Sequence, residues 1–337
     1  MIKIAMIGFG GIAHAAHLKP HLELEARGEV KLVAVCDICP ERFDEKVEIN
    51  IGGSDVTLNE DVKRYTDWRE MLGKEDVDMV DICVPTYLHA EIAIAALKSG
   101  HHVLCEKPMS LTYEKCLEMC DAAKSAGKKL MIGQCVRFGA ATAYLKKEIE
   151  AGTYGKIKTG IFRRLSPPPV WGWDNWYMDI ARSGGSVMDL HVHDLDYIRY
   201  AFGEPKKVSC CIAGMYSPRD VAHSRLVYDD FSIMAVGDWS REGVPFESGF
   251  MLAFEKATVM FSSADGVFRV YPRGGEEYTV ELPKVVSYQQ EIEYFVGCIN
   301  GKHENEINPP ESSAMSVKLA NALIESAEKC GEFVMFS

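Results

Sequence analysis

No window of the 337 residues approaches the apolar length that spans a bilayer, so no transmembrane helix is expected. A secretory leader is not expected either. Met1 leads straight into Ile2-Lys3-Ile4-Ala5-Met6-Ile7, with no charged n-region, long apolar core or small-residue cleavage site. Basic charge is in deficit: 37 Lys and Arg stand against 49 Asp and Glu, a net charge of -12. Such a chain repels a phosphate backbone, which argues against nucleic acid or an anionic membrane surface as partner. The 11 cysteines are odd in number and scattered, the pattern of reduced thiols in a cytoplasmic protein rather than of a disulfide framework. Cys36-Asp37-Ile38-Cys39 has no second pair at zinc spacing and Cys36 ends an apolar strand, so no metal is expected. Internal repeats and low-complexity tracts are missing too. These absences leave a cytoplasmic protein with a small-molecule ligand.

What is present starts with length, which exceeds a usual single core and favours two domains. Residues 2–7 read as a buried parallel strand, followed at once by Gly8-Phe9-Gly10-Gly11-Ile12-Ala13. This is GxGxxA between strand and helix. Gly8 permits the tight turn, Gly10 lets the backbone approach a pyrophosphate, and Ala13 allows close helix packing, with the anion at a helix N-terminus. A second strand, Val30 to Cys36, delivers Asp37, close to the offset of the carboxylate that binds an adenosine ribose. That carboxylate favours NAD over NADP, although Arg42 and Lys46 just beyond could neutralise a phosphate. Gly52-Gly53-Ser54-Asp55 reads as a turn within a polar stretch.

Further strands at Met79 to Val84, His102 to Cys105 and Lys129 to Gly133, with helices from Ala90 to Ser99 and Thr112 to Ala126, complete a doubly wound domain over 1–133. The third of its strands runs into Pro85-Thr86 and His89; the fourth delivers Glu106-Lys107-Pro108. Proline holds Lys107 extended at the carboxyl end of a parallel strand, where ligands of open α/β sheets bind. From 134 to 337 strands dominate: Ile157 to Leu165, Val208 to Met215, Phe231 to Gly237, Glu247 to Phe254 and Ala257 to Phe261. They suggest a largely antiparallel sheet covered by helices on one face, an α+β domain. The Pro- and Trp-rich segment Pro167 to Tyr177 precedes Gly184-Gly185 and an apparent helix. Its aromatics could stack on a sugar or simply cover that helix. On the helix Asp189 and His193 stand four residues apart, expected on one face and within mutual reach, an arrangement suited to proton transfer. His191 should face away.

Together these motifs resemble the Gfo/Idh/MocA oxidoreductases, which include glucose-fructose oxidoreductases and inositol dehydrogenases. The GxGxxA turn, Pro85-Thr86 with His89, Ala96-Leu97 through Gly100, Glu106-Lys107-Pro108, Arg137-Phe138, Gly184-Gly185 with Asp189, His193-Asp194 and the closing Glu325-Ser326-Ala327 carry the likeness over essentially the whole chain. The resemblance implies an N-terminal Rossmann domain and a C-terminal domain whose open-faced sheet often makes a dimer or tetramer interface. It also implies hydride transfer between NAD(P) and a sugar or polyol. Lys107, Asp189 and His193 match the family's catalytic trio: His193 would exchange the hydroxyl proton, Lys107 would stabilise the oxygen, and Asp189 would orient substrate or imidazole. Expected cofactor contacts are Gly8, Phe9, Gly10, Gly11, Ile12, Ala13, Asp37, Pro85, Thr86, His89, Glu106 and Lys107. Expected substrate contacts are Lys107, Arg137, Trp176, Asp189 and His193. The polar insert from Gly52 to Asp61 and the Trp-rich segment depart from the family pattern. The reading is an NAD-dependent dehydrogenase of a polyol or sugar hydroxyl. Its alternatives are a reductase of a keto or aldehyde sugar and a regulatory protein that senses NAD without turnover.

Overall fold

The structure, a computed structural model, describes residues 1–45, 48–50, 52–53 and 56–336. Lys46 and the Ser54-Asp55 part of the expected turn lie outside the described residues. Runs of Ile, Val, Leu and Met buried on both faces build the first sheet, except for its polar edge strand at Lys63–Tyr65. Its strands are β1 (Ile2–Ile7), β2 (Val30–Cys36), β3 (Lys63–Tyr65), β4 (Met79–Ile82), β5 (His102–Glu106) and β6 (Leu130–Gly133). All pair in parallel, in the order β3-β2-β1-β4-β5-β6, the doubly wound arrangement the sequence suggests. Between β1 and β4 the order reverses, and their carboxyl ends leave a crevice there. Helices α1 (Leu18–Ala26), α2 (Trp68–Lys74), α3 (His89–Lys98) and α4 (Tyr113–Ala126) connect the strands. Helix α4 shows how the sequence sets its ends: the Thr112 hydroxyl accepts from Lys115 N, and Gly127 stops it at a φ of 62°.

After α5 (Ala140–Glu150) comes a nine-stranded sheet built from β7 (Ile157–Leu165), β8 (Lys207–Ala213), β9 (Val221–Val227), β10 (Ser232–Asp238), β11 (Glu247–Phe254), β12 (Ala257–Ser262), β13 (Val267–Pro272), β14 (Tyr278–Val280) and β15 (Val334–Met335). The order is β14-β13-β12-β11-β7-β10-β9-β8-β15, with only β7 and β10 paired in parallel. Helices α6 (Val192–Phe202) and α8 (Pro310–Glu328) cover one face, over Phe162, Ile233, Ala235 and Leu252. Among the described residues the other face is bare, and Ile161, Met234 and Met251 stand on it 50%, 43% and 44% exposed.

Helix α7 (Ser287–Ile299) modifies the expected division at residue 133. Its Ile292, Phe295, Val296 and Cys298 join the core formed by Ile4, Leu32, Met79 and Leu104 of the first sheet. Residues 134–337 are therefore not one spatial unit. The chain returns to finish the first domain, because this helix and α1 are the main helical cover, among the described residues, for one face of that sheet. All 11 cysteines are unpaired, and among the described residues no helix is long and apolar enough to cross a membrane.

Candidate active site

A cleft of about 1170 Å³ opens at the carboxyl ends of β1, β4 and β5 and extends to the second sheet. At one end lies the glycine turn. Gly8 has a φ of 86°, and a Cβ there would stand 2.6 Å from the backbone of Cys83 and Val84, so only glycine fits. A Cβ on Gly10 would meet no protein atom within 4 Å; that room opens to the cleft, where a ligand's phosphates could approach the backbone. Asp37 also lines the cleft. Its Oδ2 accepts from Phe9 N at 2.7 Å and its Oδ1 from Cys39 N at 2.8 Å, which fixes the carboxylate at the strand end. These features fit the ribose and diphosphate of a dinucleotide. Phe9 and Ala13 turn their side chains into the core, Phe9 edge-on to His14 at 4.4 Å, while Gly11, Ile12, Pro85 and Thr86 line the cleft. Arg42 lines it as well but faces Glu45 at 3.0 Å.

At the other end Lys107 Nζ donates to Asp189 O at 2.8 Å and to Asp189 Oδ1 at 3.0 Å. The Lys107–Pro108 bond is cis. Gly184 and Gly185 both have positive φ, and a Cβ on Gly185 would stand 2.5 Å from Arg219 Cβ, which is why a glycine opens this helix. The expected α-helix begins as a π turn over Val187–His191. The wider turn changes which side chains stack, and Asp189 pairs with Lys107 rather than with the imidazole four residues on. His193 Nδ1 is buried without a hydrogen-bond partner, which leaves Nε2 as the ring nitrogen toward the cleft. Burial, with Lys107 and then Arg164 nearby, holds its imidazole well below the ordinary range, so the ring is neutral and able to accept a proton. His191 faces the second sheet instead and bonds Ser224 Oγ at 2.9 Å.

Arg164 and the buried groups beneath Lys107 carried no expectation from the sequence, and Tyr177 was expected only as one of the segment's aromatics. Arg164 on β7 lines the cleft and grips Asp194 through Nε at 3.1 Å and Nη2 at 2.9 Å. Tyr177 lies buried beside Trp176, Leu190 and Trp239, its phenol held well above the usual range by burial and then by Asp189. Beneath Lys107 runs a buried chain. Glu106 Oε2 accepts from Lys107 N at 3.1 Å, Glu106 Oε1 meets His17 Nε2 at 2.9 Å, and Asp81 Oδ2 meets both His17 Nδ1 at 2.8 Å and His21 Nε2 at 2.6 Å. Burial opposes charge on His17, but Asp81 outweighs it and holds the imidazole well above its usual value. Asp81 is likewise held well below the usual range: burial acts against it, and the charge and hydrogen bond of His17 prevail. Glu291 of α7 is pushed well up by burial and then Glu106, and neither of its oxygens has a partner. Cys83 lies with His17 and Asp81 within 4.8 Å, a possible ligand set, yet burial drives its thiol up to about 12 and both His17 nitrogens are spent on carboxylates. A signal existed in the sequence. Asp81 interrupts an otherwise apolar strand, which demands a buried partner.

Two further expected contacts fall elsewhere. Arg137 is 3% exposed and absent from the cleft; its Nε and Nη2 clasp Asp196 at 2.7 and 2.6 Å, and Nη2 also donates to Ser312 Oγ. It ties the segment after β6 to α6 and α8 rather than meeting substrate. His89 is 1% exposed, its Nδ1 2.8 Å from the Pro108 carbonyl and its Nε2 2.8 Å from the Val84 carbonyl, so it pins two cleft loops from behind. Trp176 does line the cleft while it packs over Leu190, joining both readings of the aromatic segment.

Comparison with known proteins gives two family profiles. One, described as an oxidoreductase family with an NAD-binding Rossmann fold, matches residues 2–134; the other, the GFO/IDH/MocA C-terminal domain, matches residues 142–268. D-glucoside 3-dehydrogenase of Escherichia coli (strain K12) is 32% identical over 204 residues, 60% of this chain and 55% of that protein. Myo-inositol 2-dehydrogenase of Thermotoga maritima is 33% identical over 208 residues, 60% of this chain and 55% of that protein. The chain thus spans about half the length of the curated relatives it matches. Among solved structures, levoglucosan dehydrogenase in complex with NADH superposes with a TM-score of 0.81 over 100% of this chain and 99% of that one, at 20% identity, a likeness of fold.

Proposed function

The chain belongs to the Gfo/Idh/MocA oxidoreductases, and from that premise we propose that it is an NAD-dependent dehydrogenase of a secondary hydroxyl on a neutral sugar or polyol. The observation that carries this reading is one cleft with the glycine turn and Asp37 at one end and Lys107, Asp189 and His193 at the other. NAD, when bound, supplies the hydride acceptor. The chain supplies the rest. His193 Nε2 takes the hydroxyl proton, a role that its depressed affinity keeps available near neutral pH. The Lys107 ammonium, steered by the Asp189 carboxylate and carbonyl, donates to the same oxygen as negative charge grows there. The two cations closest to the proton-transfer groups each have a carboxylate, Lys107 with Asp189 and Arg164 with Asp194, and that balance favours an uncharged substrate. Trp176 and Tyr177 offer an aromatic wall to a sugar face. Relatives that act on a glucoside and on myo-inositol support the substrate class.

The bare sheet face supports assembly as a homodimer or homotetramer, and 11 unpaired thiols support a cytoplasmic setting. The deciding experiment is a panel of glycosides, inositols and free aldoses, each offered with NAD and with NADP, with nicotinamide reduction followed by absorbance. Turnover with NAD that drops by ~10²-fold or more in His193→Ala is the expected result. A firm NADP preference would defeat the reading of Asp37, and no turnover across the panel despite bound NAD would leave a sensor of the cofactor.

A further inference from the structure

The Pro- and Trp-rich segment belongs to the second domain, yet its first tryptophan reaches the glycine turn of the first. A Cβ placed on Gly11 would stand 3.1 Å from Trp171 Cζ3 and 2.6 Å from Ile49 Cγ2, so indole and isoleucine close over the turn from opposite domains. The two sides are fastened beside this point: Asn50 Nδ2 donates to Ser166 Oγ at 3.1 Å and to Pro167 O at 3.0 Å. Downstream the segment is anchored again. Arg182 holds Asp174 through its carboxylate at 2.9 Å and its carbonyl at 2.7 Å, and Trp171 meets the Tyr177 ring edge-on at 4.9 Å. Trp171 therefore stands in the cleft wall between the turn and the aromatic cluster beside Lys107. Its indole nitrogen is shielded from solvent and makes no hydrogen bond. A buried donor without an acceptor is costly, and an oxygen-rich ligand at the turn would relieve it.

We propose that Trp171 is a cofactor clamp contributed by the second domain: its indole closes over the diphosphate and adjoining ribose of a dinucleotide at the Gly8–Ala13 turn, and must swing aside for release. This rests on the NAD reading above. The clamp acts on departure, since a ring lying across the exit lengthens residence more than it slows encounter. It also gives the segment a purpose that packing over the π turn does not supply, because Trp176 and Tyr177 already serve that end.

The test is release of NADH from the full-length protein, loaded and then mixed with excess NAD, with NADH fluorescence followed in time. Trp171→Ala is expected to release NADH about 10-fold faster, the scale of one aromatic contact, with Trp171→Phe between the two because it keeps a ring but loses the donor. Val170→Ala, on the same segment at a side chain 70% exposed and outside the cleft, should match wild type. Release from Trp171→Ala within about two-fold of wild type overturns the clamp, as does equal acceleration by Val170→Ala, which would mean general loosening. A wild-type protein that binds no NADH at all would instead overturn the NAD reading, and the clamp with it.

Discussion

His193 is a base whose readiness comes from its surroundings. Burial and two neighbouring cations lower its proton affinity, so it stays neutral into mildly acidic solution. The acid limb of kcat/KM for oxidation is accordingly expected below the ordinary imidazole value of 6.5, as read from pH–rate profiles. A limb at or above that value would remove His193 as the titrating base. Arg137 makes the opposite case. The family resemblance makes it a substrate contact, but the guanidinium is consumed by Asp196 and Ser312, 59 and 175 residues away. Nothing local in the sequence discloses such partners. Arg137→Ala should cost about 3–5 kcal/mol in urea unfolding, because Asp196 is left buried with Ser316 Oγ but no counter-charge, with KM for the substrate unmoved. A raised KM at unchanged stability would restore it to the substrate site.

Elements were legible where pattern and burial coincide. Apolar runs gave five of the six parallel strands, and glycine after strand gave the dinucleotide turn, because both depend on neighbours in sequence; the polar Lys63-Arg64-Tyr65 of β3 has no such run and was not expected. Strands β9, β13, β14 and β15 were not expected, and at β9 the reason is physical. Its Ala222, Ser224 and Leu226 point into the core while His223 and Arg225 face outward, and small or polar residues on the inner face blur the alternation. The π turns at Ala13–His17 and Val187–His191 also have no sequence signature, and each carries a histidine to its place. The first of them, with β4 and β5, is held by His17 between Asp81 and Glu106. His17→Gln should therefore lower stability by about 3–5 kcal/mol near pH 6. Because the folded value of His17 is raised, the native state holds the extra proton. Its contribution is full below 6.5 and fades as pH climbs through the raised value, so the gap between wild type and variant should narrow in alkaline urea titrations. A gap that widens with pH would contradict this assignment.

For the whole molecule, the second sheet poses the largest question. Met234 and Met251 flank Ile161 in register on adjacent strands and form an apolar row on a face that no described element covers. Assembly through that row predicts that Ile161→Lys combined with Met234→Lys shifts the mass measured by light scattering toward the monomer, with NADH binding retained. An unchanged mass would move the interface elsewhere. The bare face was expected from the family resemblance, whereas the residues forming the row needed the register of three strands.

The return of Ser287–Ile299 to the first sheet bears on how the protein is made. A ribosome delivers the amino-terminal strands early, but part of the covering for Ile4, Leu32 and Leu104 is encoded more than 150 residues after β6. Until that helix emerges, the nascent first domain presents an oily sheet to the cell. Its maturation waits on the second sheet, and a nascent chain arrested before residue 287 should be an avid chaperone client.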